Sequence, residues 1–565
     1  MAANPVLAAL RAVATACHAA VWSFSDEQAS QGLAIADGLR AIFLPPPAAV
    51  APAVQPQLVR WLQLLPQEIL AYILSQLDTR DMARLASTCR ALWRDAHAPP
   101  PRPMPPLRPM GLVETELRRR ATARGLHIGA TLPEGALSWV PYLLKRFLRD
   151  AMRREAPLAV AANFSLFVDT EGRLLTCGIE NVQQPNTHPS LLLGHDWGPD
   201  VNPDEPRCIG PPTPVPSMQG RRIVSVAAGG WHCLALSREG EVYSWGDGVY
   251  GSLGHADGSA RAAPSRIESL SRIESIAAGP SAVSAAVDEV GRLFTWGQAV
   301  ATRNTGEAVP TGLGYEFDHE LNSQLTPKWV DTLSEVRVVG VALGRCFTLA
   351  VTDAGTVFSF GYSQHGALGH GSLEVEVLPR RIEALALAGR RFVAVAAGMF
   401  HALALTEEGD LYEGEIYVWG DRSAAGHGLG HHEAIPRQVA ALAGERVRCV
   451  AAGHRSSCAV TEKGELFTWG SSEFGHLGHG SETAELTPKR VEGLRGVTVA
   501  TAAICVSHTL VTDEDGEVWA FGFRMAVGLG DLNVPQGPVL QPAQLPALRV
   551  RVRKSPDALP FRWIR

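Results

Sequence analysis

Residues 226–246 read VAAGGWHCLALSREGEVYSWG, and from about residue 158 onward the chain is a set of variations on that line. It returns as IAAGPSAVSAAVDEVGRLFTWG at 276–297, VALGRCFTLAVTDAGTVFSFG at 341–361 and VAAGHRSSCAVTEKGELFTWG at 450–470. A longer form, VAAGMFHALALTEEGDLYEGEIYVWG, fills 395–420. Degraded copies, LAVAANFSLFVDTEGRLLTCG (158–178) and AAICVSHTLVTDEDGEVWAFG (502–522), stand at the two ends. The closing glycines, Gly178, Gly246, Gly297, Gly361, Gly420, Gly470 and Gly522, are 68, 51, 64, 59, 50 and 52 residues apart. A recurring unit of this length signals a ring or solenoid of supersecondary repeats.

Two further markers accompany each unit. One is a proline followed at the third position by an aliphatic residue and at the sixth by Leu or Met, starting at Pro212, Pro264, Pro327, Pro379, Pro436, Pro488 and Pro542. The other is G-x-L-G or a relic of it, as in GSLGH (251–255), GALGH (366–370), GLGH (428–431) and GHLGH (475–479). HCLALS and EVYSW alternate with a period of two, and an E-G or D-x-G step between them supplies a hairpin turn. VAAG is a strand of small residues, as crowding near an axis requires. The proline segment suits an outer strand, where a missing N–H is tolerated. Four strands per unit and seven units predict a seven-bladed β-propeller, an architecture with only short exposed edges. A linear solenoid would need polar end caps, which the sequence does not show. RVRVR at 549–553 alternates and is expected to help close the ring against the first unit.

The whole chain has 565 residues, 46% hydrophobic and 19% charged, with 55 Gly and 39 Pro. Its mean hydropathy is +0.02. That composition is globular and turn-rich, against a large helical bundle. No uncharged apolar run reaches the ~18 residues a membrane helix needs. Nine scattered cysteines with no C-x-x-C argue for a reducing compartment, cytoplasmic and/or nuclear, and against a disulfide framework. The Ala-rich N-terminus lacks a basic region of the signal-peptide kind. Residues 1–157 hold 18 basic and 12 acidic residues, a balance of +6, which leaves −12 for the remainder. An acidic propeller is a poor ligand for nucleic-acid phosphates.

Proline-rich stretches at 45–56 (PPPAAVAPAVQP) and 99–109 (PPPRPMPPLRP) read as semi-rigid spacers. The expected organisation is an Ala/Pro-rich, partly disordered segment at 1–59, a helical module at 60–97, a spacer at 98–111, a helical linker at 112–157, the propeller at 158–555 and a tail at 556–565. The linker's arginines and lysine, among them Arg118, Arg119, Arg120, Lys145 and Arg146, read as a solvated helix face whose apolar side docks on the next domain.

The repeat units resemble regulator of chromosome condensation repeats, whose pattern runs VAAG-x-x-H-x-L-A-L, a D/E-G turn, V-Y-x-W-G and G-x-L-G. The resemblance covers roughly 158–550. Ala161 and Cys505 replace the repeat glycine. The histidine position reads as His232, His401 and His508, with Phe164, Ala282, Phe347 and Ser456 in the other units.

Residues 64–94 read LLPQEILAYILSQLDTRDMARLASTCRALWR. Pro66 suits a first helical turn and Glu68 a helix N-terminus. Ile69, Leu70, Ile73, Leu74 and Leu77 make one stripe. Asp78 starts a second helix, whose face carries Met82, Leu85, Cys89, Leu92 and Trp93. A hairpin this small cannot bury a core by itself, so its apolar face requires a partner. The stretch resembles an F-box, on Leu65, Pro66, Glu68, Ile69, Ile73, Leu74, Leu77, Asp81, Leu85, Cys89, Arg90 and Trp93. That resemblance implies docking to a Skp-family adaptor and, through it, a cullin-RING complex. The combination is similar to fungal F-box proteins with this propeller, of the SCF-associated factor kind.

Catalytic motifs are missing: no Walker A loop, G-x-S-x-G, H-E-x-x-H or EF-hand loop is present. His195, His255, His370, His431 and His479 follow the G-x-L-G steps, but equivalent sites on different blades cannot converge on one metal. His431, His432 and Glu433 form a local cluster with no fourth partner. No cofactor or metal is expected. Loops carry recognition, which points to insertions 179–211 and 299–325 and to the lengthened hairpin from Leu411 to Ile416. Tyr315, Phe317, Asp318, His319 and Glu320 in the second insertion are the candidate target contacts. The expected function is that of a non-catalytic substrate receptor of an SCF-type ubiquitin ligase. The alternative is a guanine-nucleotide exchange factor for a Ran-like GTPase, which would leave the F-box unexplained. No nucleic acid or membrane partner is expected.

Overall fold

The computed structural model describes residues 156–180, 192–195, 207–302, 308–316, 322–407, 414–428, 430–529, 537–550 and 552. All fall within the compact unit Arg153–Arg565. The helical module expected at 60–97, the spacers and the helical linker up to residue 155 lie outside the described residues.

Seven antiparallel four-stranded sheets follow one another along the chain, each built from four consecutive main strands. In the second sheet these are Ile223–Ala228, His232–Ser237, Val242–Gly246 and Arg261–Arg266. We number the strands of each blade one to four from the axis outward. The innermost strands of neighbouring blades touch all the way round, and the first blade's Leu158–Val160 meets the seventh blade's Val499–Ile504. The mainly β, seven-bladed propeller expected from the repeats is therefore what forms.

The three sequence markers have distinct structural duties. All seven marker prolines stand on the fourth strand, whose outer edge pairs with no other strand among the described residues. The aliphatic residue three places later and the Leu or Met six places later are buried in every blade, from Val215 and Met218 to Leu545 and Leu548. In four blades they bracket a single 3-10 turn, and in blade 4 a one-turn helix (Glu383–Leu387) takes its place. Each unit-ending glycine adopts positive φ, between 106° and 127°. A Cβ on Gly420 would lie 2.5 Å from the Phe400 carbonyl oxygen, so no side chain fits there.

There is no single central core. Each apolar cluster is shared between the facing sheets of adjacent blades, as where Trp245 packs among Phe164, Leu166 and Val215 of the first blade. One cluster joins the last blade to the first, with Phe521 and Leu510 against Leu158, Phe167 and Cys177.

Among the described residues, ring closure uses no shared strand. Blade 1 is wholly N-terminal, and blade 7 ends with its own fourth strand, Val539–Arg549. The expected role of the RVRVR segment is met at one residue: Val550 forms an isolated antiparallel bridge with Asp169 of blade 1. The rest of the joint is made by side chains.

Candidate protein-interaction face

Between blades, a carbonyl in the loop after strand three receives donors from the next blade. Leu192 O accepts from the Cys233 thiol and from Trp245 Nε1 (2.8 Å). Ser252 O accepts from Ser284 Oγ and Trp296 Nε1, both at 2.8 Å. Ala424 O takes Ser457 Oγ and Trp469 Nε1 at 3.1 and 2.9 Å. Three seams use one such donor (Thr348 to Gly312 O, Trp419 to Ala367 O, Thr509 to His476 O), and the closing seam again has two, Ser165 Oγ and the Cys177 thiol on Ala526 O. The repeat tryptophan thus serves as a latch to the preceding blade as well as core filling.

The three repeat histidines lock the same seams. His232 Nε2 lies 2.7 Å from Ser284 Oγ, His401 Nε2 2.8 Å from Ser457 Oγ, and His508 Nε2 2.7 Å from Ser165 Oγ. Each hydroxyl gives its proton to a carbonyl of the preceding blade, so the imidazole donates. Burial pushes these histidines down to about 4, 4 and 3 respectively, and they are neutral structural groups at physiological pH.

Strand pairing corrects the repeat alignment in two places. Gly297 opposes Val283, whereas Gly246 opposes His232. The blade 3 counterpart of His232 is therefore Val283 rather than Ala282, because one extra residue sits between Gly279 and the strand. In blade 5, Ala424 supplies the latch carbonyl and Gly426 lies under the Trp469 indole. The working motif there is AAGH at 424–427, not GLGH at 428–431. His427 then matches His255, while His431 pairs with Glu433 at 3.2 Å.

Histidines after the true G-x-L-G steps stay within their own blades. His195, His255, His370 and His479 bond Thr176, Ser244, Ser359 and Thr468 on strand three, at 2.9–3.1 Å. They do not converge on a metal.

Tyr315 is a further correction. It follows G-L-G, at the place His255 holds, and its hydroxyl donates to Thr295 O at 3.1 Å. It is 6% exposed, with the Lys328 ammonium over its ring. It anchors the inserted loop to blade 3 and presents little surface to a target. Phe317, Asp318, His319 and Glu320 lie outside the described residues, as do the adaptor-contact residues expected at 65–93. The same insertion contains a two-stranded hairpin, Val300–Thr302 with Ala308–Pro310, which the sequence reading did not anticipate.

Antiparallel order separates the three insertions. Loops after strand one and after strand three share one face, where the residue after each closing glycine bonds the strand-one loop, as Asp247 N does to Trp231 O. Insertions 179–211 and 299–325 both follow strand three and emerge on this face. The connection between strands two and three of blade 5, from Thr406 to Ile416, leaves from the other end of its sheet, and residues 408–413 lie outside the described residues.

The shared face also carries exposed aromatic residues, Trp231 (37%) and Tyr250 (44%) on blade 2 and Phe474 on blade 6. Opposite in character is a cluster on blades 4 to 6. Phe400, 8% exposed, lies in the strand-one loop of blade 5. Arg345 of blade 4 and Arg455 of blade 6 place their guanidinium carbons 5.7 and 5.5 Å from its ring centroid. His365 and His454 meet the ring edge-on at 4.9 and 5.9 Å.

Among the described residues, His365, Asp421 and His432 have a donor set that could hold a cation. His432 Nδ1 accepts the Arg422 backbone N–H at 3.1 Å, which puts the ring proton on Nε2, facing His365 Nδ1 at 3.2 Å. The two rings are already bonded to each other, and the Arg455 charge acts on His365. The arrangement fits a hydrogen-bonded tie between blades 4 and 5 better than a metal centre. The seven described cysteines are all free. Burial raises Cys177 to about 12 and Cys346 to about 11, so neither is a nucleophile at neutral pH.

Repetition, ring order and latch geometry define a propeller of tandem four-stranded β units. The chain belongs to the regulator of chromosome condensation (RCC1) repeat family. Models of that repeat match residues 239–286, 354–405, 413–460 and 463–512, with a second repeat model at 223–252 and 447–475. An F-box-like model matches 62–96, so the helical module expected at 60–97 is an F-box-like domain. The chain is 32% identical to the Arabidopsis thaliana ultraviolet-B receptor UVR8 over 315 residues, 55% of this chain and 68% of the receptor. It is 39% identical to the human E3 ubiquitin-protein ligase HERC2 over 310 residues, 54% of this chain but only 6% of that protein's length. Its fold is similar to yeast RCC1 (Prp20) in a complex with Kap60, with a TM-score of 0.53 and 20% identity over 74% of this chain and 90% of the other. Human WBSCR16 gives 0.52 and 21% over 63% and 90%.

Proposed function

We propose that the chain is a non-catalytic substrate-recognition subunit of an SCF-type cullin ubiquitin ligase. The observation that carries this reading is the pairing of an F-box-like domain at 62–96 with a rigid propeller in one polypeptide. The F-box docks a Skp-family adaptor through Leu65, Pro66, Ile69, Ile73, Leu74 and Leu77. The propeller holds the target protein. Catalysis is by proximity: tethering raises the local concentration of target lysines near the ubiquitin-loaded enzyme. The name of the HERC2 relative, a ubiquitin ligase, is consistent with such work for this kind of propeller.

A pull-down with purified Skp-type adaptor tests it. The wild-type chain is expected to bind. Leu65→Ala/Pro66→Ala and Ile73→Asp are expected to lose binding while the propeller's melting transition is unchanged. Retained binding by both variants, or none by the wild type, overturns the reading. Accelerated nucleotide release from a Ran-like GTPase would favour an exchange factor instead.

A further inference from the structure

We propose that Arg345, Phe400 and Arg455 form a binding site for an anionic side chain, carboxylate or phosphate, on a peptide segment of a partner protein. This deepens the reading of the propeller as the target-holding element and rests on it.

Three consecutive blades contribute one residue each, all from strand-one loops on the face that also carries the two large insertions. Phe400 is nearly buried and fixed, because its carbonyl accepts the Asp421 N–H at 3.0 Å. Both guanidinium groups sit over its ring at cation–π distance. A guanidinium held at an aromatic ring by cation–π attraction still has N–H donors to offer a carboxylate or phosphate. Both arginines are exposed, and among the described residues neither forms an ion pair, although the Arg455 charge also acts on Asp421. Most other arginines of the ring are paired, as Arg292 is with Asp288 at 2.6 Å and Arg390 with Glu415 at 3.1 Å.

The nearby acids are otherwise engaged or peripheral. Asp421 Oδ1 accepts from Ser423 N and Oγ, and its Oδ2 lies 4.0 Å from His365. Glu473 is exposed and acts on His454. The half-buried rings of His365 and His454 line the rim, with both His365 nitrogens already engaged by His432 and Gln364. The propeller's overall acidity disfavours a polyanion such as nucleic acid, whereas a single anionic side chain needs only the local pair of cations.

The test is fluorescence polarisation on the full-length chain with three labelled nonapeptide pools, degenerate except for a central phosphoserine, glutamate or serine. At least one anionic pool is expected to bind tenfold or more tighter than the serine pool. The preference between phosphoserine and glutamate identifies the source of the anion. Arg345→Ala and Arg455→Ala should each bring binding to the serine level, and Arg345→Lys should restore only part of it. Equal binding of all three pools overturns the proposal, as does anionic binding indifferent to both alanine variants. So does preferential capture of a labelled single-stranded DNA 20-mer that the same variants abolish. Adaptor pull-down is unaffected by these substitutions, so this site and the F-box reading fail independently.

Discussion

Ser165 in the first blade and His508 in the last are 343 positions apart, yet the serine Oγ and the histidine Nε2 are 2.7 Å apart. The same hydroxyl reaches Ala526 O at 2.7 Å. One buried serine therefore joins the two ends of the ring. It repeats, at the closure, the bond made by His232 to Ser284 and by His401 to Ser457.

Removing that hydroxyl should loosen the ring where no covalent or strand continuity exists. Ser165→Ala leaves a buried imidazole N–H without its acceptor. We expect a loss of about 1–3 kcal/mol in denaturant unfolding. Amide exchange should quicken first in blades 1 and 7. Uniform exchange around the ring would show that closure is carried elsewhere.

The latch tryptophans should not be equivalent. Ala424 O has two donors, Trp469 Nε1 and Ser457 Oγ, whereas Ala367 O has Trp419 Nε1 alone, because Ala402 stands at the hydroxyl position. Trp419→Phe should therefore cost about 1 kcal/mol more than Trp469→Phe, the difference being one unsatisfied buried carbonyl. Melting curves of the two variants provide the comparison.

Acid should weaken the ring in a defined window. His232, His401 and His508 fall from the ordinary 6.5 to about 4, 4 and 3 because burial opposes the charge. The unfolded chain then binds more protons than the folded one between those values. Their contribution is complete above about pH 6.5 and is lost as the pH falls toward the folded values. Each histidine adds a slope of about 1.4 kcal/mol per pH unit there. Urea midpoints measured from pH 7 to 5 should drop steeply, and His401→Asn should flatten the slope by one such unit.

The register correction in blade 5 has its own test. His427 accepts a place beside Val418 O at 3.2 Å, inside the blade, whereas His431 is exposed and pairs with Glu433. His427→Ala should lower the melting temperature by several degrees, and His431→Ala should leave it within experimental error. The reverse result would restore GLGH as the structural motif.

The repeating part of the fold was legible because its markers answer local demands. A closing glycine is needed where φ is positive, a proline is tolerated on an outer strand, and small residues crowd the axis. Those demands recur in every blade whatever the neighbour. The seams were less legible, since His232 finds Ser284 only after two blades are set side by side. Single-residue offsets were also hidden. The extra residue before Val283, and the choice between AAGH and GLGH, are settled by which carbonyl and which glycine meet the next tryptophan. Tyr315 could have been recognised as a repeat residue, because TGLGY at 311–315 carries the G-x-L-G step. The Phe400 cluster had no sequence signal, for its arginines come from units about fifty residues to either side.

Each blade is spun from one uninterrupted length of polypeptide. An unfolding motor that grips this protein by its tail would meet a lone sheet at a time, starting with Val539–Arg549, and could reel in the seventh without first tearing a strand out of the first. Duplication or loss of a whole sheet during evolution would likewise leave the survivors intact and require only that the meeting point of the two ends be remade.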